Sequence, residues 1–293
     1  MLCMNLEKRI EKIIHKIVKN KNIHSTIHKI VKNKNIHSTI QKIILNTSIS
    51  MDKKMLQISH IIHIDEKGAQ PSVVIARTFT TQKLTQYIIK SHPQTRNELK
   101  IADIGGGDGQ VLREIGKNLR LNKNQLYCVE QKTEWCDEPR ANHNEPHLQF
   151  LYWDNDTIPV IADDSLDIVL IMVALHHMTD ETIRSVLKNV ERLTRKGAKV
   201  IVKEHDCRTP EDKFVIDWEH HLYHLVNAPL IQTYDDILSY KTQYINHFKT
   251  EEWFDDAFAQ YGFLPIVKLN RLFEMAVDTK NPTQLYWKIY EKN

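Results

Sequence analysis

The chain has 293 residues, of which 41% are hydrophobic and 26% charged, enough for one large globular domain or one domain with an extension. Four cysteines, Cys3, Cys128, Cys136 and Cys207, fall without C-x-x-C spacing, which argues against a disulfide framework or zinc site and for a reduced, cytoplasmic setting. No run reaches the ~18 apolar residues of a membrane span. The formal charge of +3 is uneven: ten Lys and Arg stand against Glu7 and Glu11 in residues 1–50, so the remainder is net acidic and ill suited to broad nucleic-acid binding.

Residues 15–27 read HKIVKNKNIHSTI, and residues 28–40 repeat them without a change. Two copies are too few to stack a solenoid. Leu6, Ile10, Ile13, Ile14, Ile17 and Val18 share one helical face, but the Asn-Lys-Asn interruptions at 20–22 and 33–35 weaken that helix. Residues 1–50 therefore read as a poorly ordered extension carrying a tandem duplication, ahead of a domain spanning 51–293. The alternative is a basic amphipathic arm that contacts an anionic partner.

From about Thr78 the pattern becomes globular, with Thr80 opening a helix whose Leu84, Tyr87 and Ile88, with Ile89 at the edge of the stripe, face inward. Strand-like segments follow near 100–104, 125–130, 148–153, 166–172 and 198–204, with helical patterns between several of them. Such alternation predicts a parallel sheet covered on both faces. Arg195-Lys196-Gly197 reads as a turn before the fifth strand. Thr209-Pro210-Glu211-Asp212 is a strong helix start, and Thr250-Glu251-Glu252 begins another helix that stops at Gly262. Residues 263–269 and 285–290 alternate as an antiparallel pair closing the sheet.

The stretch Asp103-Ile104-Gly105-Gly106-Gly107-Asp108-Gly109 is a glycine loop leading from a strand into a helix, where a ligand can press on bare backbone amides. A dinucleotide fingerprint fails here, because Gln110 stands where its third glycine belongs. Read as acidic-x-Gly-x-Gly-x-Gly, the segment fits at every position. Glu130 ends the second strand 27 positions after Asp103, where a carboxylate can clamp both hydroxyls of a ribose. The third strand ends in Asp154-Asn155, the fourth runs into Val173-Ala174-Leu175-His176-His177-Met178, and the fifth delivers Lys203, Glu204, His205 and Asp206.

In combination these motifs resemble the class I S-adenosylmethionine (SAM) dependent methyltransferases, in the group with a methyltransferase type 11 or 25-like domain, over roughly residues 78–206. The resemblance implies an α/β fold with a doubly wound, Rossmann-like sheet of seven strands in the order 3-2-1-4-5-7-6, strand seven antiparallel. It implies S-adenosyl-L-methionine as cofactor, held by Asp103, Gly105, Gly106, Gly107, Gly109, Glu130, Gln131, Asp154, Asn155 and Val173. Asp154 would accept the adenine amino group, and the Leu-His-His would line the mouth beside the methionine part. Residues 207–293 would supply substrate-side and closing elements.

Methyl transfer is an in-line displacement in which the cofactor brings the activation, so a base is needed only when the acceptor must lose a proton. His176, His177, Glu204 and His205 are the candidates for that task. No metal is expected, since His220 and His224 have i, i+4 spacing without an H-E-x-x-H pattern. The acceptor is narrowed by absences: no Asn/Asp-Pro-Pro-Tyr/Phe and no Pro-Cys follows the fourth strand. A small molecule or protein side chain stands ahead of RNA. The alternatives are a cap guanine-N7-like RNA methyltransferase, faintly echoed by Ala174-Leu175-His176-His177, or an inactive SAM-binding partner subunit.

Overall fold

The structure is a computed structural model that describes residues 5–18, 34–63, 74–92, 98–131, 147–153, 158, 161–227, 233–266 and 282–293. Its contacts divide the chain into a helical unit (Met1–Ala76, Cys207–Ile245 and Lys280–Gln284) and a sheet unit (Arg77–Asp206, Asn246–Thr279 and Leu285–Asn293).

In the sheet unit, seven strands form one sheet among the described residues. They are β1 (Ile101–Ile104), β2 (Leu126–Gln131), β3 (Gln149–Trp153), β4 (Leu166–Met172), β5 (Thr194–His205), β6 (Phe263–Pro265) and β7 (Leu285–Lys292). Their order is β3-β2-β1-β4-β5-β7-β6, as the resemblance implies. The first five run parallel, and β7 is antiparallel to both β5 and β6. The fifth strand begins earlier than expected: Thr194 already pairs with Leu166, and the register then jumps to Lys199 opposite Ile168. Arg195, Lys196 and Gly197 are thus a bulge inside β5, made possible by Gly197 at φ 77°. The strand expected over 263–269 is described only as far as Pro265, since residues 267–269 lie outside the described segments.

Side chains alternate across these strands, so one sheet buries two cores. Ala102, Ile104, Val169, Ile171, Val200 and Val202 face one side and pack with α6 (Asp180–Leu193) and α9 (Glu251–Ala259). Ile101, Ile168, Leu170 and Ile201 face the other side and pack with α4 (Val74–Ser91) and α5 (Gln110–Leu119). The helix expected to open at Thr80 starts at Val74, and Ile89, expected at the edge of its inward stripe, is exposed. Thr179 caps α6 by accepting from Thr182 N, and Thr250 caps α9 by accepting from Trp253 N. Because β1 pairs with β2 on one side and β4 on the other, the strand order reverses at the carboxyl end of β1, where the glycine loop begins.

The helical unit changes the reading of the leader. It contains α1 (Leu6–Val18), α2 (Lys34–Leu45), α3 (Met51–His63), α7 (Pro210–Asn227) and α8 (Tyr234–Gln243). Ile10, Ile13 and Ile14 of α1 and Ile40 and Ile44 of α2 are buried together with Val215 and Trp218 of α7. The boundary placed at residue 50 is therefore not where the contacts divide. The apolar stripe of α1 finds its partner about two hundred residues downstream, beyond the reach of local pattern. Residues 19–33, which hold most of the repeat, lie outside the described segments.

Arg9 locks this arrangement. Its guanidinium donates to Asp212 Oδ1 at 2.7 Å, Glu211 Oε1 at 3.2 Å and the Pro282 carbonyl at 2.9 Å. Asp212 also closes the capping box of α7: its Oδ2 accepts from Thr209 N at 3.0 Å, while Thr209 Oγ1 accepts from Asp212 N at 3.0 Å. Burial pushes the Asp212 pKa up, but the bonds from Thr209 and Arg9, together with the charge of Arg9, outweigh it and hold the pKa below its ordinary value.

Breaking a buried ion pair costs about 3 kcal/mol, because the remaining charge is stranded. Arg9→Ala should lower the stability of the full chain by that order in chemical denaturation. A depressed carboxylate pKa stabilises fully above about pH 4, and the benefit disappears as pH falls through the folded-state value. The gap between wild type and Arg9→Ala should accordingly narrow on acidification, leaving the part due to the bond with the Pro282 carbonyl; a gap independent of pH would contradict the ion-pair account.

Candidate active site

The glycine loop follows β1 and meets the carboxyl ends of β2 and β4, with the end of β5 paired beside that of β4. Gly105, Gly107 and Gly109 take φ values of 70°, 61° and 69°, the left-handed region that glycine enters without strain. Gly105 also has no room for a side chain, since an added Cβ would lie 2.6 Å from the Ala174 Cβ. At Gly107 the same addition meets nothing within 4 Å, so the loop's outer side is open where a ligand would lie. Gly107 N donates to Glu130 Oε2 at 2.7 Å, which ties the loop to the end of β2. Asp103 is 1% exposed at the end of β1 beneath the loop.

These features fit a cofactor with a cationic amino acid end and a ribose diol. Left-handed glycines keep the backbone bare, Asp103 places a buried carboxyl group beneath the loop, and Glu130 brings a carboxylate to the adjoining strand end. Gln131 is the last residue of β2, with its side chain outside what is described. Asp154 and Asn155 lie outside the described residues.

Val173 follows β4 with φ 56°, an uncommon backbone for a β-branched residue, and its N–H donates to the Lys203 carbonyl at 2.7 Å. This strained link turns the chain away from the sheet and starts the short 3-10 turn Leu175–His177. The turn is fastened to β5 through Glu204, whose side chain is 1% exposed. Glu204 Oε2 accepts from His176 N at 3.3 Å, Oε1 accepts from His205 N at 2.9 Å, and His176 Nδ1 lies 2.5 Å from Oε1. Burial raises the Glu204 pKa, opposed by His205, by the backbone bonds and by His177.

The four proton-transfer candidates are thus brought together but are not equivalent. His176, Glu204 and His205 are buried, whereas His177 is exposed, with its ring 4.1 Å from that of His176. His176, Glu204 and His205 also offer three ligand-type atoms within 4.8 Å of one another. Two ligands of a tetrahedral ion would sit about 3.3 Å apart; the 2.5 Å contact is a hydrogen bond and has no room for an ion between its atoms.

The histidines of α7 serve the helical unit instead. His220 Nδ1 lies 2.8 Å from the Ile216 carbonyl, His221 Nδ1 lies 2.9 Å from Tyr240 Oη, and His224 stacks on Tyr240. Burial pushes the His221 pKa down to about 4, so this ring is neutral at pH 7.

Sequence reasoning missed three residues at the rim. Ala174 meets the glycine loop, Tyr286 pairs in register with Glu204, and Phe248 stacks on His176. The Tyr286 hydroxyl is buried without a hydrogen-bond partner, and burial, with Glu204 next, holds its pKa well above the ordinary value. Only the small size of Ala174 was visible as a signal. A separate open cavity of about 660 Å³, lined by charged side chains including Asp163, Arg184, Lys188 and Arg192, lies beside the residues that enter β4, not at the glycine loop.

Residues 101–197 match the protein family described as a methyltransferase domain. A curated relative, the cephaeline 6'-O-methyltransferase of Carapichea ipecacuanha, is 35% identical over 109 residues, covering 35% of this chain and 27% of the relative. The match spans about a quarter of that protein's length. The chain is also similar in fold to human N-acetylserotonin methyltransferase in complex with SAM (12% identity, 97% of this chain and 67% of that chain, TM-score 0.44). A second solved structure is the Synechocystis magnesium protoporphyrin IX methyltransferase with bound SAH (11% identity, 92% of this chain and 100% of that chain, TM-score 0.42).

Titration of the full chain with S-adenosylhomocysteine checks the cradle. Glu130→Ala should weaken binding about tenfold, a loss of ~1.4 kcal/mol, by removing a charged hydrogen-bond acceptor. Gly105→Ala should abolish it, because the left-handed backbone and the Ala174 contact both oppose a Cβ. Unchanged affinity in both variants would move the cofactor elsewhere.

Proposed function

We propose that this chain, a class I SAM-dependent methyltransferase by its domain at residues 101–197, transfers the methyl group to a hydroxyl oxygen of a small molecule. When bound, SAM supplies the activated methyl; the protein's task is to hold donor and acceptor in line and to take the acceptor's proton. In this reading Asp103, the loop glycines 105–109 and Glu130 hold the cofactor, with Asp154 and Asn155 at its adenine end.

The observation that carries the acceptor reading is the 2.5 Å contact between His176 and the buried Glu204. The glycine loop touches Ala174, and two residues later the chain presents an imidazole whose Nδ1 is tied to a carboxylate. A carboxylate in that position fixes the ring's tautomer and stabilises the imidazolium formed on proton uptake. Such a pair has a use when the acceptor is an alcohol or phenol, which must shed a proton, and none when it is a neutral amine or thioether lone pair. The relative that matches this domain is itself named an O-methyltransferase, which supports the same choice.

His176 takes the proton, Glu204 orients it, and the exposed His177 faces the entering acceptor. Burial raises the Glu204 pKa, so the pair keeps its proton to higher pH than a solvated carboxylate would. The transfer rate should rise with pH as that proton is lost, and Glu204→Gln should shift this dependence, because the imidazole loses the carboxylate that favours its charged form.

A tritiated-methyl transfer assay against separated metabolite, protein and RNA fractions tests the reading. Label is expected in the metabolite fraction, and Glu204→Gln should cut the rate about a hundredfold, the usual scale of general-base catalysis, with affinity for S-adenosylhomocysteine unchanged. Label confined to RNA or protein would overturn the acceptor class. Cofactor binding with no transfer to any fraction would favour an inactive partner subunit.

A further inference from the structure

Resting on the role just assigned to His176, this inference concerns how an acceptor reaches that ring. His176 is 1% exposed. Glu204 holds the imidazole at its Nδ1 edge, and Phe248 covers its face, with ring centroids 5.4 Å apart and planes at 27°. His205 meets it edge-on at 5.4 Å and 70°, and it packs edge-on against Phe248 as well, at 6.3 Å and 84°.

Phe248 belongs to residues 246–250, which have no helix or strand and lead directly into α9. This short piece is fastened to the rim at a few points. His247 N donates to the His176 carbonyl at 2.6 Å, and Lys249 Nζ lies 2.6 Å from Asp180 Oδ1. Just beyond it, Glu251 N donates to Asp206 Oδ1 at 3.0 Å. The segment has no secondary-structure ladder of its own, the setting in which local opening is found.

We propose that residues 246–250 form a gate over His176, with Phe248 as its plug. Closed, the Phe248 ring keeps water from the imidazole and holds it in register with Glu204. Open, it leaves a slot walled by His176, His205 and the displaced Phe248. A slot with aromatic walls takes a flat hydroxyl compound that can lie against them. Phe248 is in this sense a positioning residue for His176 and a selector of the acceptor.

The gate can be read without any acceptor by carbethoxylating the full chain with diethyl pyrocarbonate and following each histidine by peptide mass spectrometry. In the wild type His177 should react at least about tenfold faster than its neighbour His176, since the reagent reaches a covered ring only through local opening. Phe248→Ala should bring His176 close to the His177 rate, while His221, buried in the helical unit, stays protected. Phe248→Tyr should restore protection of His176. If Phe248→Ala also exposes His221, the variant has unfolded and Phe248→Leu takes its place in the comparison. A wild type in which His176 reacts as fast as His177, or a smaller residue at 248 that leaves His176 as slow as before, overturns the gate. These readings are independent of the tritium assay, so failure of the gate and failure of the methyltransferase reading are separate results.

Discussion

Glu204 is a carboxylate with no exposed surface, and the carboxyl end of the sheet is organised around satisfying it. A buried carboxylate without partners would cost several kcal/mol. Here it accepts two backbone N–H groups and meets one ring nitrogen, and each of these bonds fixes something the site uses. The bond to His176 N sets the turn after β4, the bond to His205 N sets the end of β5, and the contact at Nδ1 sets the imidazole. The left-handed Val173 is the strain that makes this geometry reachable, held by its own bond to Lys203.

The two halves of the proposed reaction meet at one close contact. On the cofactor side, the glycine loop sits where the strand order reverses, with Asp103 and Glu130 at neighbouring strand ends. On the acceptor side stand the 3-10 turn and the end of β5. Gly105 and Ala174 join them, and a side chain at position 105 would collide with Ala174 at the observed spacing. Displacement at a methyl carbon demands alignment within tenths of an ångström, which a rigid backbone contact gives and a mobile side chain does not.

Much of the sheet was legible because its signals are local. Glycines at 105, 107 and 109 mark left-handed backbone, the alternating runs at 101–104, 166–172 and 198–204 mark buried strands, and Gln110 excludes the dinucleotide loop. The residues proposed for the cofactor side stand at consecutive strand ends, so their places in the sheet could be read off in order. The acceptor side could be located but not ranked: the sequence offered His176, His177, Glu204 and His205 as equals, and only burial and distance separate the paired ring from the exposed one. Phe248 carried no signal, since it lies in irregular chain more than seventy residues from the ring it covers. The leader failed for a similar reason. Its isoleucine stripe was visible, but a stripe is only half a core, and the other half is Val215 and Trp218 in α7.

The central claim is that a proton-taking pair stands beside the cofactor cradle, which makes oxygen the atom methylated. Incubating the full chain with carbon-13 methyl SAM and the metabolite fraction, then recording the carbon resonance of the transferred methyl, tests it most directly. A methyl carbon at the position characteristic of an ether is the predicted result. A methyl on nitrogen, sulfur or carbon would contradict the assignment of a hydroxyl acceptor.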